Sequence, residues 1–273
     1  MNPAPRFGLL VVGDEILSGK RADKHLPRVV ELLGARGLSL AWARFAPDDR
    51  AALTATLREA LAGHDVVFCC GGIGATPDDH TRQAAAGALG VGLQLHPQAR
   101  ELIQARLRHL AAQQGQVYEP NRPDHLQRLQ MGEFPLGARI IPNPYNQIPG
   151  FTCTSPSGAV LHAVPGFPVM AWPMIEWLLE QHYAPYFQRG AWGERSVIVF
   201  EGIEGQLTPL MLHIEAAHPP CKVFSLPSVD HPEFGRHLEL GVKGPIGPVQ
   251  AAYADLLAGL RAAAARLGPE LVR

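Results

Sequence analysis

Short apolar runs alternate along the chain with stretches whose apolar positions recur every three or four residues. Residues 7–12 form the first run and predict a buried strand. It stops at Gly13-Asp14-Glu15, and Ser18-Gly19-Lys20 marks a loop. From Asp23 onward Leu26, Val29, Val30 and Leu33 fall on one helix face, with Gly34 or Gly37 as the stop. Residues 38–45 alternate as a strand, and Pro47-Asp48-Asp49 opens a helix carrying Leu53, Leu57, Ala60 and Leu61 on one side. Residues 65–70 are a third apolar strand. Strands alternating with helices predict βαβ units and a mostly parallel sheet, on which ligands bind beyond the carboxyl ends of the strands.

The stretch after the third strand carries the most chemistry. Gly71-Gly72-Ile73-Gly74 forms a glycine turn, and Thr76-Pro77-Asp78-Asp79 follows. Thr76 suits an N-cap, Pro77 the first helical position and Asp79 the capping-box position. Strand, glycine turn and helix start together favour an anion, because backbone N–H groups can approach it. Asp78 and Asp79 would repel a bare phosphate unless a divalent cation bridges them. The alternative is that both acids only complement the helix dipole. Asp14-Glu15, Asp48-Asp49 and the 71–79 turn all follow strands directly, so the pattern places three acid-bearing loops at one sheet edge, which favours the ligand reading.

Residues 97–114 predict another helix, after which the pattern dissolves. Residues 119–151 are rich in proline, with one short strand at 139–141, and are expected to wall the pocket. A strand at 160–164 ends in Pro165-Gly166-Phe167-Pro168, and a helix runs over 169–183. Beyond Gln188-Arg189-Gly190 a small α+β domain is expected. It comprises a strand at 196–200, a helix capped by Thr208-Pro209, two strands at 222–226 and 237–242, and a last helix carrying Tyr253, Leu256, Leu260 and Leu267. The expected boundaries are 1–187 and 188–273.

Composition narrows the function classes. With 273 residues and 47% hydrophobic content the chain can bury a full core. A net charge of −1 points to neither nucleic acid nor an anionic membrane. Cys69, Cys70, Cys153 and Cys221 have neither disulfide-framework nor zinc spacing. No run reaches membrane-spanning length, so a cytoplasmic protein is expected.

These residues resemble a known family. GDEILSG and GGIGATPDDHT, together with residues 121–151 (NRPDHLQRLQMGEFPLGARIIPNPYNQIPGF) and VPGFPVMAWPM, are similar to the motifs of the molybdopterin-binding domain shared by MoaB, Mog and gephyrin proteins. The similarity is greatest to the amino-terminal part of CinA (competence/damage-inducible) proteins. It covers residues 7–183 in order, and the remainder is loosely like the small second domain of CinA proteins. The deamidase domain of many CinA proteins is expected to be absent, and nicotinamide mononucleotide deamidation with it.

The resemblance implies a three-layer α/β/α molybdopterin-binding-like domain with a mostly parallel sheet, plus a small carboxyl-terminal α+β domain. It implies a pocket for a phosphorylated pterin or an adenine nucleotide, with magnesium the expected divalent cation and molybdopterin an alternative ligand. The implied activity is metal-dependent cleavage of the pyrophosphate in ADP-ribose-like nucleotides, or adenylylation of molybdopterin, or nucleotide binding without turnover. By position, Asp79, Asp78 and Asp48 match the catalytic acids, with Asp79 and Asp48 toward the metal. Gly71, Gly72 and Gly74 match backbone phosphate donors, with Thr76 and Thr81 beside them. Asp14, Glu15, Ser18, Gly19 and Asp23 match the first loop, and Asn121, Asn143, Pro165 and Gly166 the later motifs. A homo-oligomer, dimer or trimer, is implied as well. Departures lie at the periphery: Asp23-Lys24-His25 stands where NTN is usual, and Tyr145-Asn146-Gln147-Ile148 where VGTA is usual.

Other constellations carry less. His213 and His218 are five apart and cannot share a helix face as HExxH requires. His231 and His237, on a loop and a strand, could assemble a site with His213, which the pattern favours little, and His80 reads as a pocket-edge or solvent-facing group. Lys20 and Arg21 could neutralise phosphate or simply solvate the loop. Trp172 and Trp177 are expected in the core.

Overall fold

In the computed structural model, which describes residues 5–188 and 192–272, contacts divide the chain into two compact units, Met1–Phe187 and Gln188–Arg273. Arg189 and Gly190, in the stretch where the pattern resets, lie outside the described residues.

The first unit runs β1 (Phe7–Val12), α1 (Asp14–Leu17), α2 (His25–Gly34), β2 (Leu40–Ala46), α3 (Arg50–Ala60), β3 (Val66–Cys70), α4 (Thr81–Leu89), β4 (Leu93–Leu95), α5 (Pro97–Gln113) and α6 (Pro123–Leu129). It continues through β5 (Glu133–Pro135), β6 (Arg139–Ile141), β7 (Gly150–Thr154), β8 (Val160–Val164) and α7 (Pro168–Leu178). The main sheet has the order β2-β1-β3-β8-β7-β6. β2, β1, β3 and β8 are parallel, and β7 is antiparallel to both neighbours.

Every residue of β1 and β3 is buried, as a parallel strand covered on both faces requires. Alternate side chains separate into two cores. Leu10, Val12, Val67 and Cys69 pack with Leu53, Leu57 and Ala84, whereas Leu9, Val11, Phe68 and Cys70 pack with Val29, Leu33, Ala171 and Ile175. Each fully buried leucine or phenylalanine contributes about 1.5–3 kcal/mol, so both helical layers are tied to the sheet by its period-two pattern. Trp172 and Trp177 pack against the second core, as expected. All four cysteines are free and buried.

The chain departs from the expected elements in several places. Residues 119–151 hold helix α6 and strands β5 and β6, and β7 begins before the segment ends, so the segment is far from structureless. Thr76 does not cap a helix: α4 begins at Thr81, with His80 at the N-cap position. The helix after Phe167 changes to a wider π turn at Leu179–Tyr183. In the second unit Thr208 is likewise no cap, because it lies inside a helix and its hydroxyl donates to the Glu204 carbonyl at 3.0 Å.

The second unit runs β9 (Trp192–Phe200), α8 (Glu204–Ala217), β10 (Lys222–His231), β11 (Gly235–Pro245), α9 (Ile246–Ala262) and β12 (Leu267–Val272). Its sheet is antiparallel, in the order β10-β11-β9-β12. Val197, Val199 and Leu240 pack against Ile214, Leu256 and Leu260. Leu267, expected on the last helix, begins an extra strand instead. Gly268 and Pro269, poor helix formers, follow it directly. Among the described residues no helix is long and apolar enough to cross a membrane.

Candidate functional site

In the first unit the chain passes from β1 to β2 on one side and later to β3 on the other. The strand order therefore reverses around β1, which opens a crevice at the carboxyl ends of β1 and β3. A cleft of about 160 Å³ occupies that position. Glu15, Asp48, Asp78 and Asp79 line it, together with Gly71, Gly72 and Gly166. All three acid-bearing loops thus reach one cavity.

Two of the loops are held together by reciprocal bonds. The Asp14 N–H donates to Asp48 Oδ2 at 2.9 Å, and the Asp48 N–H to Asp14 Oδ1 at 3.2 Å. The Gly13 N–H also donates to the Ala46 carbonyl at 3.1 Å. Asp49 turns away and caps α3, accepting from the Ala52 N–H at 2.7 Å. Asp14 serves the cleft indirectly, by orienting Asp48. Burial raises the Asp48 carboxyl above its usual pKa; the Asp14 N–H opposes this, and the charges of Asp14, Glu15 and Asp78 add to the rise. The cleft holds more negative charge than its own residues neutralise.

The glycine turn needs its glycines for space as well as for backbone angle. Gly71 has φ +112°, and an added Cβ would meet the Val12 carbonyl oxygen at 2.4 Å. Gly72 has φ +67°, and a Cβ there would meet Thr81 Oγ1 at 2.4 Å. A Cβ on Gly74 would meet Asp79 Oδ2 at 2.5 Å. Thr81 locks the turn, its hydroxyl donating to the Gly71 carbonyl at 2.8 Å and its N–H to the Gly72 carbonyl at 2.9 Å. The Gly71 N–H is itself spent on the Val164 carbonyl at 3.0 Å, so Gly71 is not a phosphate donor as the resemblance implies. Among the described residues the N–H groups from Gly72 to Ala75 donate to no protein acceptor. We expect Gly72→Ala to weaken phosphate binding at least tenfold and to cost about 1–2 kcal/mol of stability, the usual penalty for a left-handed residue with a Cβ. Paired isothermal titration and thermal melting measure both.

Thr76 and Asp79 close the next turn. Asp79 Oδ2 accepts the Thr76 N–H at 2.9 Å and its hydroxyl at 2.5 Å, and the Asp79 N–H returns to the Thr76 carbonyl at 3.1 Å. This local ring is what the capping pattern encoded; it simply precedes the helix. Hydrogen bonding within the same turn holds the Asp78 carboxyl below its usual pKa. Arg82, 3% exposed, donates to the Gly74 carbonyl at 2.7 Å and to the Gln130 carbonyl, anchoring the turn to the segment after α6. Sequence reasoning missed Arg82, since only the fold shows that it turns inward.

Several expected residues serve other purposes. Asp23 caps α2, accepting from the N–H groups of His25 at 2.8 Å and Leu26 at 3.0 Å. Asn143 is buried and orders its own loop through Asn146, Ile148 and Tyr145. Ser18, Gly19, Asn121, Pro165 and Gly74 do not line the cleft. The proline-rich segment therefore does not wall this cavity; it is tied to the turn through the Gln130 carbonyl held by Arg82 and through Gln127, whose amide donates to the Ala75 carbonyl at 3.1 Å. His213, His231 and His237 lie in the second unit, where Phe234 stacks on His231 with ring centroids 4.8 Å apart.

A larger cavity, about 680 Å³, lies in the second unit. Its Arg236 and Arg266 are matched by Glu201 and Glu233, so it offers an ionic ligand no net charge. The smaller cleft is the better candidate because charge, backbone donors and topology coincide there.

The first unit is thus an α/β domain whose switch-point crevice combines free backbone N–H groups with convergent carboxylates. The chain belongs to the family described as the probable molybdopterin binding domain, whose model matches residues 8–185, and is of the CinA-like type. It is 35% identical over 161 residues to a CinA-like protein of Anaeromyxobacter sp. (strain K), covering 59% of this chain and 37% of that protein. A CinA-like protein of Citrifermentans bemidjiense is 30% identical over 206 residues, covering 76% of this chain and 47% of that protein. The chain thus spans less than half the length of these curated relatives. The crystal structure of CinA from Thermoplasma acidophilum, titled as of unknown function, superposes with a TM-score of 0.54 at 26% identity. That match covers 65% of this chain and 97% of the other.

Proposed function

We propose that the cleft binds the phosphate groups of a nucleotide together with a divalent cation, and that the protein is a metal-dependent pyrophosphatase acting on ADP-ribose-like nucleotides. The observation that carries this reading is the meeting of Asp48 and Asp79 in one cavity with the glycine turn.

The donor set fits magnesium. Among the described residues no three His, Cys, Asp or Glu side chains form a metal cage. Asp48 Oδ2 and Asp79 Oδ2 are engaged in protein hydrogen bonds, which leaves one oxygen of each carboxylate for a cation. Magnesium is commonly held in this way, by one or two carboxylates with substrate phosphates and waters completing the octahedron. When bound, the cation would neutralise phosphoryl charge and acidify a coordinated water. The Gly72 N–H would stabilise charge on a phosphoryl oxygen, since Arg82 and Thr81 hold the turn before the ligand arrives. Asp78, exposed and held below the usual carboxylate range, stays ionised and adds negative charge at the cleft mouth.

Purified protein should release AMP from ADP-ribose only with Mg²⁺, Mn²⁺ or Co²⁺ present, and calorimetry should show Mn²⁺-dependent binding of ADP. Neither outcome with any of these metals would remove the proposal. The family description favours a second reading, molybdopterin binding or adenylylation; clearly tighter binding of molybdopterin than of ADP-ribose would decide for it. Homo-oligomerisation is part of the proposal and is read by sedimentation.

A further inference from the structure

The acidic cleft is not the end of the crevice. A second hollow of about 410 Å³ shares Val12, Glu15, Arg21, Gly166 and Phe167 with it, so the two adjoin along those residues. The charge changes along the way. The cleft carries Glu15, Asp48, Asp78 and Asp79, and Arg21 is the one cation among its described lining residues. The hollow beyond is largely apolar, with Val11, Ile16 and Pro168, and has Lys24 beside Arg21.

Arg21 is placed but not spent. Its N–H donates to the Glu15 carbonyl at 2.9 Å, which fixes the loop where the two cavities join. Its side chain is exposed and forms no ion pair among the described residues. A guanidinium is a rigid fork that matches two phosphoryl oxygens, and it keeps its charge at any working pH.

A phosphoryl group seated at the glycine turn leaves Arg21 facing whatever is attached next. A monophosphate would present an ester and a sugar there, and the arginine would have no anion to pair with. A diphosphate would present a second phosphoryl, and its organic part would continue into the apolar hollow. We propose that Arg21 is a specificity-determining residue that selects diphosphate-linked ligands over monophosphates, with the first phosphoryl at the glycine turn and the second at the guanidinium. This inference rests on the metal–phosphate reading of the cleft.

Calorimetric titration of the full chain with ADP and with AMP, each with Mn²⁺, tests it on wild type, Arg21→Ala and Arg21→Lys. Arg21→Ala should melt like wild type, because the side chain supports nothing in the fold. Wild type should bind ADP at least tenfold more tightly than AMP. Arg21→Ala should weaken ADP at least tenfold and AMP less than threefold, and Arg21→Lys should recover part of the loss. Equal losses for both nucleotides, or no loss for either, would overturn the assignment while leaving the cleft as the phosphate site. If wild type bound neither nucleotide with Mn²⁺, the reading of the cleft itself would fall, and this assignment with it.

Discussion

Asp79→Asn is expected to cut Mn²⁺-dependent ADP binding by tenfold to several hundredfold while leaving the melting temperature nearly unchanged. Asparagine keeps a side-chain oxygen, so it can still accept from the Thr76 N–H and hydroxyl, which Asp79 Oδ2 holds at 2.9 and 2.5 Å. What it loses is charge. A carboxylate beside a cation in a partly screened cleft contributes on the order of a few kcal/mol, each 1.4 kcal/mol being a factor of ten. Asp48→Asn should act in the same direction but less selectively, because its carboxyl also ties the first loop through the Asp14 N–H. Calorimetry with Mn²⁺ alone and with ADP separates metal loss from nucleotide loss. Wild-type affinity in the Asp79 variant would leave that residue a turn-former only.

The second large effect lies in a buried polar chain on β8. His162 is 1% exposed, its Nδ1 2.8 Å from Thr152 Oγ1 and its Nε2 2.7 Å from the Tyr183 hydroxyl. Burial, reinforced by nearby His182 and Arg139, pushes its pKa down to about 3. An unfolded histidine titrates near 6.5. Between these two values the unfolded chain binds the extra proton, so stability falls as pH drops below 6.5 and levels off below about 3. Above 6.5 the contribution is fully present. The whole step is roughly 5 kcal/mol, a large part of ordinary domain stability. Burial also lowers the His182 pKa, which adds in the same sense. Denaturant titrations at pH 7.5 and 4.5 should show wild type losing about 2–3 kcal/mol more than His162→Gln, since glutamine hydrogen-bonds without titrating. Parallel losses in the two proteins would show that His162 does not set the acid limit.

Much of the scaffold was legible in the chain, because its central strands are buried on both faces and read as uninterrupted apolar runs. β1 and β3 have this character, β8 has it apart from His162, and the helices between them carry clear faces such as Val29 and Leu33 or Leu53 and Leu57. Of the short elements only β6, expected at residues 139–141, was legible. β4 and β5 have three residues each and hold their places by pairing with one another, which no local pattern records. β12 was hidden because Leu267 continues the apolar period of α9, and only pairing with β9 makes the segment extended. Thr76 misled for a related reason: its bonds with Asp79 are local and encoded, but where α4 begins depends on the Thr81 N–H reaching the Gly72 carbonyl.

The sequence by itself determined which residue types end the strands, and so that glycines and carboxylates crowd one sheet edge; strand direction and chain order suffice for that. Only the tertiary structure decided which of them meet. Asp49 and Asp23 cap helices, Asn143 orders its own loop, and the Gly71 N–H goes to Val164, whereas Arg82 and Arg21 take up places beside the turn and the cleft. A side chain's aim depends on partners far away in sequence, and a single chain does not name them.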